Sequence, residues 1–332
     1  MGWFGNLITG IKGSSTIDFV FIPDLALPGG DTALTFERDK TYVELHVQSL
    51  RLEKGRSFAT RFHGLVYTFV TLSRMNEADS RIAAVSKPDD LAELDESSVG
   101  KVIPVRKRMM GAVPWRGGDM QLELGLFAVK SGNLITPVLD FVTRVSETAG
   151  ISFVGAVKPF VPLISEGMDM IAGQTADSKL QVGIDTAIAL EGKTSMACAI
   201  IATDKRDFDT GKITIDPADR KLLQNGQPLQ EAYCVFSVQA TARKADYGEI
   251  PEIKAAYETF RQAVIKGVQK EAEEALTVFR RIALFSPDLI PSDGAKLADD
   301  AAALMRQAFP GGGISRAARD ALLPATLAQL PL

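Results

Sequence analysis

Histidine, cysteine and tryptophan are scarce in this chain of 332 residues, and each occurs only twice. The two cysteines, Cys198 and Cys234, both lie in apolar, β-like stretches. That setting is typical of buried thiols in a reducing compartment, so we do not expect a disulfide framework. With only His46 and His63 available, and no third ligand evident beside them, we expect no histidine-based metal site.

Long apolar runs are also missing, since none is long enough to span a bilayer. The apolar amino terminus lacks the basic start and the small-residue cleavage site of a secretory signal. The expected location is the cytoplasm, with peripheral attachment to a membrane as an extension of it. A net charge of −4 and a pI near 5.4 give no overall electrostatic case for nucleic-acid binding.

What the chain does have is a series of stretches in which apolar and polar residues alternate, the pattern of half-buried strands. The clearest are Thr41–Leu52 and Thr60–Ser73, predicted as an antiparallel hairpin that places His46 and His63 almost opposite each other. Further strands are predicted at 17–22, 101–109, 120–129, 180–190, 196–202, 212–216 and 232–242.

Helical spacing of apolar residues replaces alternation in two regions. The first predicts helices inserted between consecutive strands at about 133–172. The second, 253–283, predicts one helix of about eight turns or two helices joined near Gly267. Shorter helices at 295–308 and 316–323 and a tail at 324–332 follow. The expected fold is α+β: an antiparallel β-sandwich-like domain over 1–245 with a helical insertion, followed by a helical region over 250–332.

Two stretches carry part of a known functional motif without completing it. Glu191–Ser195 looks like the end of a phosphate-binding loop, but Ala187 stands where the first glycine is needed, and a hairpin turn into the strand at 196–202 is the simpler interpretation. The acidic stretch 204–216 offers oxygen ligands for calcium, although its own lysines and arginine offset the charge. A G-x-S-x-G nucleophile elbow is absent. We therefore assign no catalytic residue, metal or cofactor.

The strongest sign of a binding surface is a group of cations near aromatic residues. A strand beginning at Lys101 is expected to end at Arg106–Arg108, and the following loop, Gly111–Asp119, carries Trp115 and Arg116. Such groups suit an anionic lipid, a phosphate or an acidic partner. The alternative is a solvated strand end with Trp115 in the core.

The first twelve residues predict an amphipathic helix with Trp3 and Phe4 on its apolar side. Such a helix serves as an interfacial anchor or packs on its own core. The predicted lipid- or partner-binding residues are Arg106, Lys107, Arg108, Trp115, Arg116, Trp3 and Phe4.

Three stretches, Tyr42–Leu52, Pro114–Leu126 and Tyr233–Val238, give the chain a pattern that resembles C2-like β-sandwiches of bacterial conflict and signalling systems. The resemblance covers about two thirds of the chain. It implies a membrane-docking or adaptor role without catalysis. The aspartate sets with which C2 domains usually bind calcium are not evident.

The expected function is therefore a non-enzymatic interaction module, an adaptor or scaffold in a bacterial defence or signalling system. Its expected partner is a protein or an anionic membrane surface rather than nucleic acid, and self-association into a homo-oligomer stays open. Two other interpretations also stay open: a hydrolase whose site is assembled from distant residues, and a membrane-inserting or pore-forming effector.

Overall fold

The computed structural model of the chain describes residues 3–14, 16–30, 33–52, 62–72, 80–85, 102–130, 178–204, 208–310 and 315–332. The chain divides into two compact units. Unit 1 comprises Met1–Glu37, Val43–Gly111 and Arg116–Ala240, and unit 2 comprises Arg38–Tyr42, Ala112–Trp115 and Thr241–Leu332.

Alternating stretches of the sequence form the strands, and one short helix precedes them. In chain order the elements are α1 (Trp3–Ser14), β1 (Asp18–Leu25), β2 (Tyr42–Arg51), β3 (Phe62–Leu72), β4 (Ser80–Val85), β5 (Val102–Pro114), β6 (Met120–Lys130), β7 (Ser178–Ile188), β8 (Met196–Thr203), β9 (Ile213–Ile215), β10 (Leu222–Gln224), β11 (Gln227–Pro228) and β12 (Tyr233–Thr241).

The described strands form three sheets. The first has the order β1-β8-β12-β2-β5, the second β4-β3-β6-β7, and a small third sheet β11-β10-β9. All seven pairings whose register the structure gives are antiparallel. The core of the first sheet joins it to the small sheet, because Ile201 and Tyr233 pack with Ile213 and Leu222. The predicted mixture of antiparallel sheets and mostly C-terminal helices is confirmed.

The predicted hairpin of Thr41–Leu52 with Thr60–Ser73 is wrong. β2 lies between β12 and β5 in the first sheet, whereas β3 pairs with β4 and β6 in the second. His46 and His63 are therefore not on paired strands. Alternation shows which residues share a face of a strand, but it does not show which strand accepts its hydrogen bonds.

The predicted insertion at about 133–172 lies outside the described residues. The strands on either side of it, β6 and β7, are antiparallel neighbours from Met120 opposite Ile188 to Val129 opposite Ser178. They are thus consecutive strands of one sheet, as predicted.

Helices make up most of unit 2: α2 (Pro251–Lys266), α3 (Gln269–Leu284), α4 (Pro291–Ala308) and α5 (Arg316–Leu322). The long apolar stripe forms two helices, the second of the two predicted alternatives, because Gly267 takes a left-handed φ of 83° and ends α2. Prolines at the first turns of α2 and α4 start those helices. None of the helices in the described ranges combines the length and apolar character that crossing a bilayer requires.

The helices of unit 2 pack around an aromatic cluster. Tyr257 and Phe260 of α2 meet Phe279 of α3, with ring centroids 5.8 and 6.2 Å from that of Phe279. The predicted tail is packed rather than loose, since Leu327 and Leu330 are buried. Apolar residues at both ends of a short 3₁₀ turn explain why the last residues dock.

Candidate functional site

β5 carries the predicted cations and is an outermost strand of the first sheet among the strands that the structure describes. Its first half, Val102–Arg108, is partly or fully exposed, and from Met109 onward it is buried. The strand continues to Pro114, so the prediction that it ends at the cations is wrong. The apolar residues after Arg108 extend the strand because the core accepts them, and the cations lie within a strand rather than beside a loop.

Two arginines with unusual backbone conformations approach each other at this edge. Arg106 in β5 has a φ of 46°, and Arg220, in the turn before β10, has a φ of 64°. The left-handed region is uncommon for residues with side chains. Nη2 of Arg106 donates to the carbonyl oxygen of Ala218 at 3.5 Å, and Nη1 of Arg220 donates to that of Pro28. We call Arg106, Lys107, Arg108 and Arg220 the basic edge.

Arg106 contacts the turn that carries Arg220, so the two positive charges act on each other. Burial chiefly, and the positive charge of Arg106 secondly, lower the pKa of Arg220 below its ordinary value. The carboxylates of Asp216 and Asp219, in the same turn, pair instead with Lys221 at 3.6 and 3.2 Å. Nε of Arg220 is buried and has no hydrogen-bond partner within the described part of the chain. This pair of arginines therefore suits an anion.

Among the other predicted cations, Arg108 lies near a carboxylate. Arg108 has 41% of its side chain exposed, and its Nη1 lies 3.7 Å from Oε1 of Glu44. Glu44 also accepts a 3.0 Å contact from Nε2 of His46, two residues along the same face of β2. Lys107 and Arg116 are partly exposed.

The aromatic residues predicted for this surface are not available to a partner. Trp115 is 1% exposed and Phe4 is 0% exposed, so the expectation that they face lipid or a partner is wrong. The backbone of Trp115 is fixed on both sides, by its N–H on the Thr41 oxygen and its oxygen on the Asp39 N–H, each at 2.9 Å. Trp3 begins α1, and its side chain lies outside the described residues.

The two cysteines are buried and free, as predicted. Burial raises the pKa of both the Cys198 and the Cys234 thiols to about 12. At neutral pH they stay protonated, and the thiolate rather than the thiol is the nucleophile. Neither cysteine is therefore set up for catalysis.

The phosphate-loop look-alike is a turn, but it does not close the hairpin that the sequence suggested. It joins β7 of the second sheet to β8 of the first, with Gly192 at a φ of 71°. Nζ of Lys193 pairs with Asp24 at 2.9 Å. In the acidic stretch, Asp209 caps the N–H of Gly211 and pairs with Lys212. Among the described residues, no three or more His, Cys, Asp or Glu side chains are grouped to hold a metal.

A second notable place is the face of the second sheet that carries α1. Gly125 of β6 and Gly183 of β7 lie opposite each other and leave a notch without side chains. The ring of Phe4 fills it and lies 5.5 Å from the ring of Tyr67. Beside the notch is a cleft of about 190 Å³, lined by Gly5, Ile8, Thr9, Phe19, Gly183, Ile184 and Asp185. The sequence signal for this notch was the glycine in each alternating strand.

Two carboxylates lie opposite each other next to the notch. Glu123 pairs in register with Asp185, and its Oε2 accepts a hydrogen bond from the Tyr67 hydroxyl at 3.0 Å. Burial raises the pKa of the Glu123 carboxyl; the Tyr67 hydrogen bond opposes that rise, and the charge of Asp185 adds to it.

This raised pKa predicts how stability changes with pH. The fold favours protonated Glu123, so its contribution is present below the ordinary Glu pKa of about 4.3 and is lost as pH rises through the raised folded-state pKa. Glu123→Gln is permanently neutral, so its unfolding free energy relative to wild type should be higher at pH 7 than at pH 4. Urea titrations at both pH values measure the difference. An equal stability difference at pH 4 and pH 7 would contradict the raised pKa of Glu123. Asp185→Asn removes one cause of the raised pKa, so the pH range over which the stability of the protein falls should become narrower.

Comparisons of the chain with protein-family models, curated protein sequences and solved structures give no match.

Proposed function

We propose that this protein is a non-enzymatic interaction module, an adaptor that docks onto an anionic membrane surface through the basic edge. The observation that carries the proposal is the approach of Arg106 to Arg220 without a carboxylate pairing either one in the described chain. Two repelling guanidiniums gain free energy when a phosphate or carboxylate lies between them. Lys107 and Arg108 extend the same positive surface along β5.

Protection of a sheet edge is the plainer explanation of these charges. Charged side chains on an outer strand discourage edge-to-edge pairing, and that role accounts for Lys107 and Arg108. It does not account for Arg220, which lies outside β5, in the turn whose Ala218 oxygen Arg106 contacts. An anion-binding role explains both.

The sandwich-like arrangement and the C2-like resemblance belong to the same proposal. Their support is that the two larger sheets are antiparallel and that β7 of the second contacts β1 and β8 of the first. The cytoplasmic location, and a role in bacterial defence or signalling, follow from this resemblance and from the composition. The buried, protonated thiols of Cys198 and Cys234 support a role that does not involve cysteine catalysis.

Vesicle flotation tests the proposal. The full chain should float with phosphatidylcholine vesicles that contain phosphatidylserine, only at low salt, and not with pure phosphatidylcholine. Because each cation near an anionic membrane contributes about 1 kcal/mol, Arg106→Gln/Arg108→Gln should weaken binding about 30-fold. The matched control is Lys212→Gln/Lys266→Gln, which removes the same charge from side chains 60% and 61% exposed.

Equal losses in the two double variants would show that only net charge matters and would contradict a docking site at the basic edge. Absence of flotation at low salt would rule out docking onto an anionic membrane. Retention of the wild type, but not of Arg106→Gln/Arg108→Gln, on immobilised polyglutamate would then redirect the proposal to an acidic protein.

A further inference from the structure

The outer face of α3 carries large apolar side chains that are exposed. Phe285, directly after the helix, is 80% exposed, Val278 is 55% exposed and Leu284 is 44% exposed. On the inner side of the same helix, Phe279 is fully buried. A monomer seldom exposes several large apolar side chains close together, and such patches typically mark an interface.

Helical spacing places the two most exposed of these residues in one line with two charges. Val278 and Phe285 are seven residues apart, so they lie on one face, two turns from each other. Glu274 and Arg281, four residues before and three after Val278, share that face. After Lys270 in the first turn, the face therefore reads Glu274, Val278, Arg281, Phe285, and all four of these side chains are exposed. We call these four residues the α3 line.

Charge is divided along this helix. Its first half carries three acids, Glu271, Glu273 and Glu274, and one cation, Lys270, whereas its second half carries only cations, Arg280 and Arg281. Within the part of the chain that the structure describes, Glu274, Arg280 and Arg281 form no ion pair. Within the described chain, the α3 line thus offers an unpaired negative group, Glu274, before Val278 and an unpaired positive group, Arg281, after it.

We propose that the α3 line pairs with the α3 line of a second copy of this chain, with the two helices antiparallel. A two-fold axis near Val278 sets Arg281 of each copy opposite Glu274 of the other, as a self-complementary interface requires. A parallel arrangement would instead bring like charges together. Antiparallel helices also align opposite ends of their macrodipoles. The occupant that fits this pattern of charge is the same helix reversed.

In this arrangement Phe285 lies over the second copy's residue 270, a lysine whose aliphatic stem can cover an aromatic ring. α3 has 16 residues, about 24 Å of helix. A seam of that length is small for a protein interface, so self-association should be weak and depend on concentration. The pairing is independent of docking at the basic edge, because it uses no residue of β5.

Sedimentation of the full chain tests the pairing. Across the micromolar range the measured mass should rise from that of the 35.8 kDa chain towards twice that value. Phe285→Lys, which would face the lysine at position 270 of the second copy, should stay at the single-chain mass throughout. The matched control is Val268→Lys, which also replaces an exposed apolar residue (41%) but lies outside the α3 line, and it should associate like the wild type. Circular dichroism checks that both variants keep their helices.

Charge reversal distinguishes this geometry from any other apolar contact. Arg281→Glu alone and Glu274→Arg alone should each abolish association, because like charges then meet at the seam. An equimolar mixture of the two variants should associate again, since each copy supplies the charge that the other lost. A wild type that stays monomeric overturns the proposal, as does association that survives Phe285→Lys or a mixture that fails to associate.

Discussion

Truncating Phe4 to alanine is expected to lower the free energy of unfolding by about 3–5 kcal/mol, the usual cost of removing a fully buried phenylalanine. Phe4 is 0% exposed, and its ring occupies the space above Gly125 and Gly183. Its removal leaves a cavity that two strands cannot close, because the glycines have no side chains to move into it. Urea denaturation followed by circular dichroism measures the loss, and faster hydrogen exchange in α1 would show that the helix has come away.

Filling the notch from the other side gives the sharper test. A Cβ added at Gly125 would lie 2.9 Å from ring atoms of Phe4 and of Phe127, closer than real contacts allow. Gly125→Ala should therefore cost about 1–3 kcal/mol, as overpacked core substitutions do. At Gly183 the nearest atoms are 3.1–3.4 Å away, so Gly183→Ala is the milder matched control.

A double variant measures the coupling between Phe4 and Gly125 and so tests whether the ring of Phe4 fills the notch. In Phe4→Ala/Gly125→Ala the new methyl group occupies space that the ring has left, so the double variant should lose less stability than the two single losses added together. Simple additivity would mean that the strain at Gly125 comes from Phe127 rather than from Phe4. A Gly125→Ala variant as stable as the wild type would mean that Phe4 does not lie in the notch, because glycine inside a strand is otherwise unfavourable.

Much of the fold was predictable because periodicity records burial. The strands from 120 and 196 and the helices after 250 begin and end within a few residues of their predicted bounds. Pairing was not predictable, since the apolar faces of β2 and β3 fit several neighbours equally well. The predicted hairpin joined them because they are adjacent in the chain, and the structure places them in different sheets.

In the candidate site too, the residue types were predictable from the sequence, but the contacts between distant residues were not. The cations of β5 were recognisable from the sequence. Arg220, which the fold brings into their neighbourhood, lies more than a hundred residues further along the chain, in a turn that carries no binding motif. Trp115 left two interpretations open, and only packing selected the buried one. The exposure of Phe285, six residues after the fully buried Phe279, is likewise a property of the packed helices rather than of the pattern.

Lys244 is the residue whose setting departs most from its sequence context. Arg243-Lys-Ala-Asp246 has the composition of a solvated turn, yet the side chain of Lys244 is 0% exposed. Its Nζ donates to the carbonyl oxygen of Ala112 at 2.6 Å and lies 3.3 Å from Oδ1 of Asp246. A charge removed from water is tolerated only where it is paired and hydrogen-bonded. We therefore expect the polar contacts of Lys244, rather than the packing of its aliphatic stem, to contribute most of its stabilising effect.

Lys244→Met is therefore expected to lower the free energy of unfolding by about 3–5 kcal/mol, because it keeps the shape but leaves Asp246 and the Ala112 oxygen without their cation. Lys254→Met is the matched control. Lys254 pairs with Glu249 at 2.9 Å on the surface, 44% exposed, and its loss should cost less than about 1 kcal/mol.

Neutralising the partner separates lost charge from lost packing. If loss of the positive charge next to Asp246 causes the damage, Lys244→Met/Asp246→Asn should be more stable than Lys244→Met alone, since an amide tolerates the loss of the cation better than a carboxylate does. A double variant no better than the single one would assign the loss to packing of the stem and to the Ala112 oxygen. Equal losses for Lys244→Met and Lys254→Met would contradict the burial of Lys244 altogether.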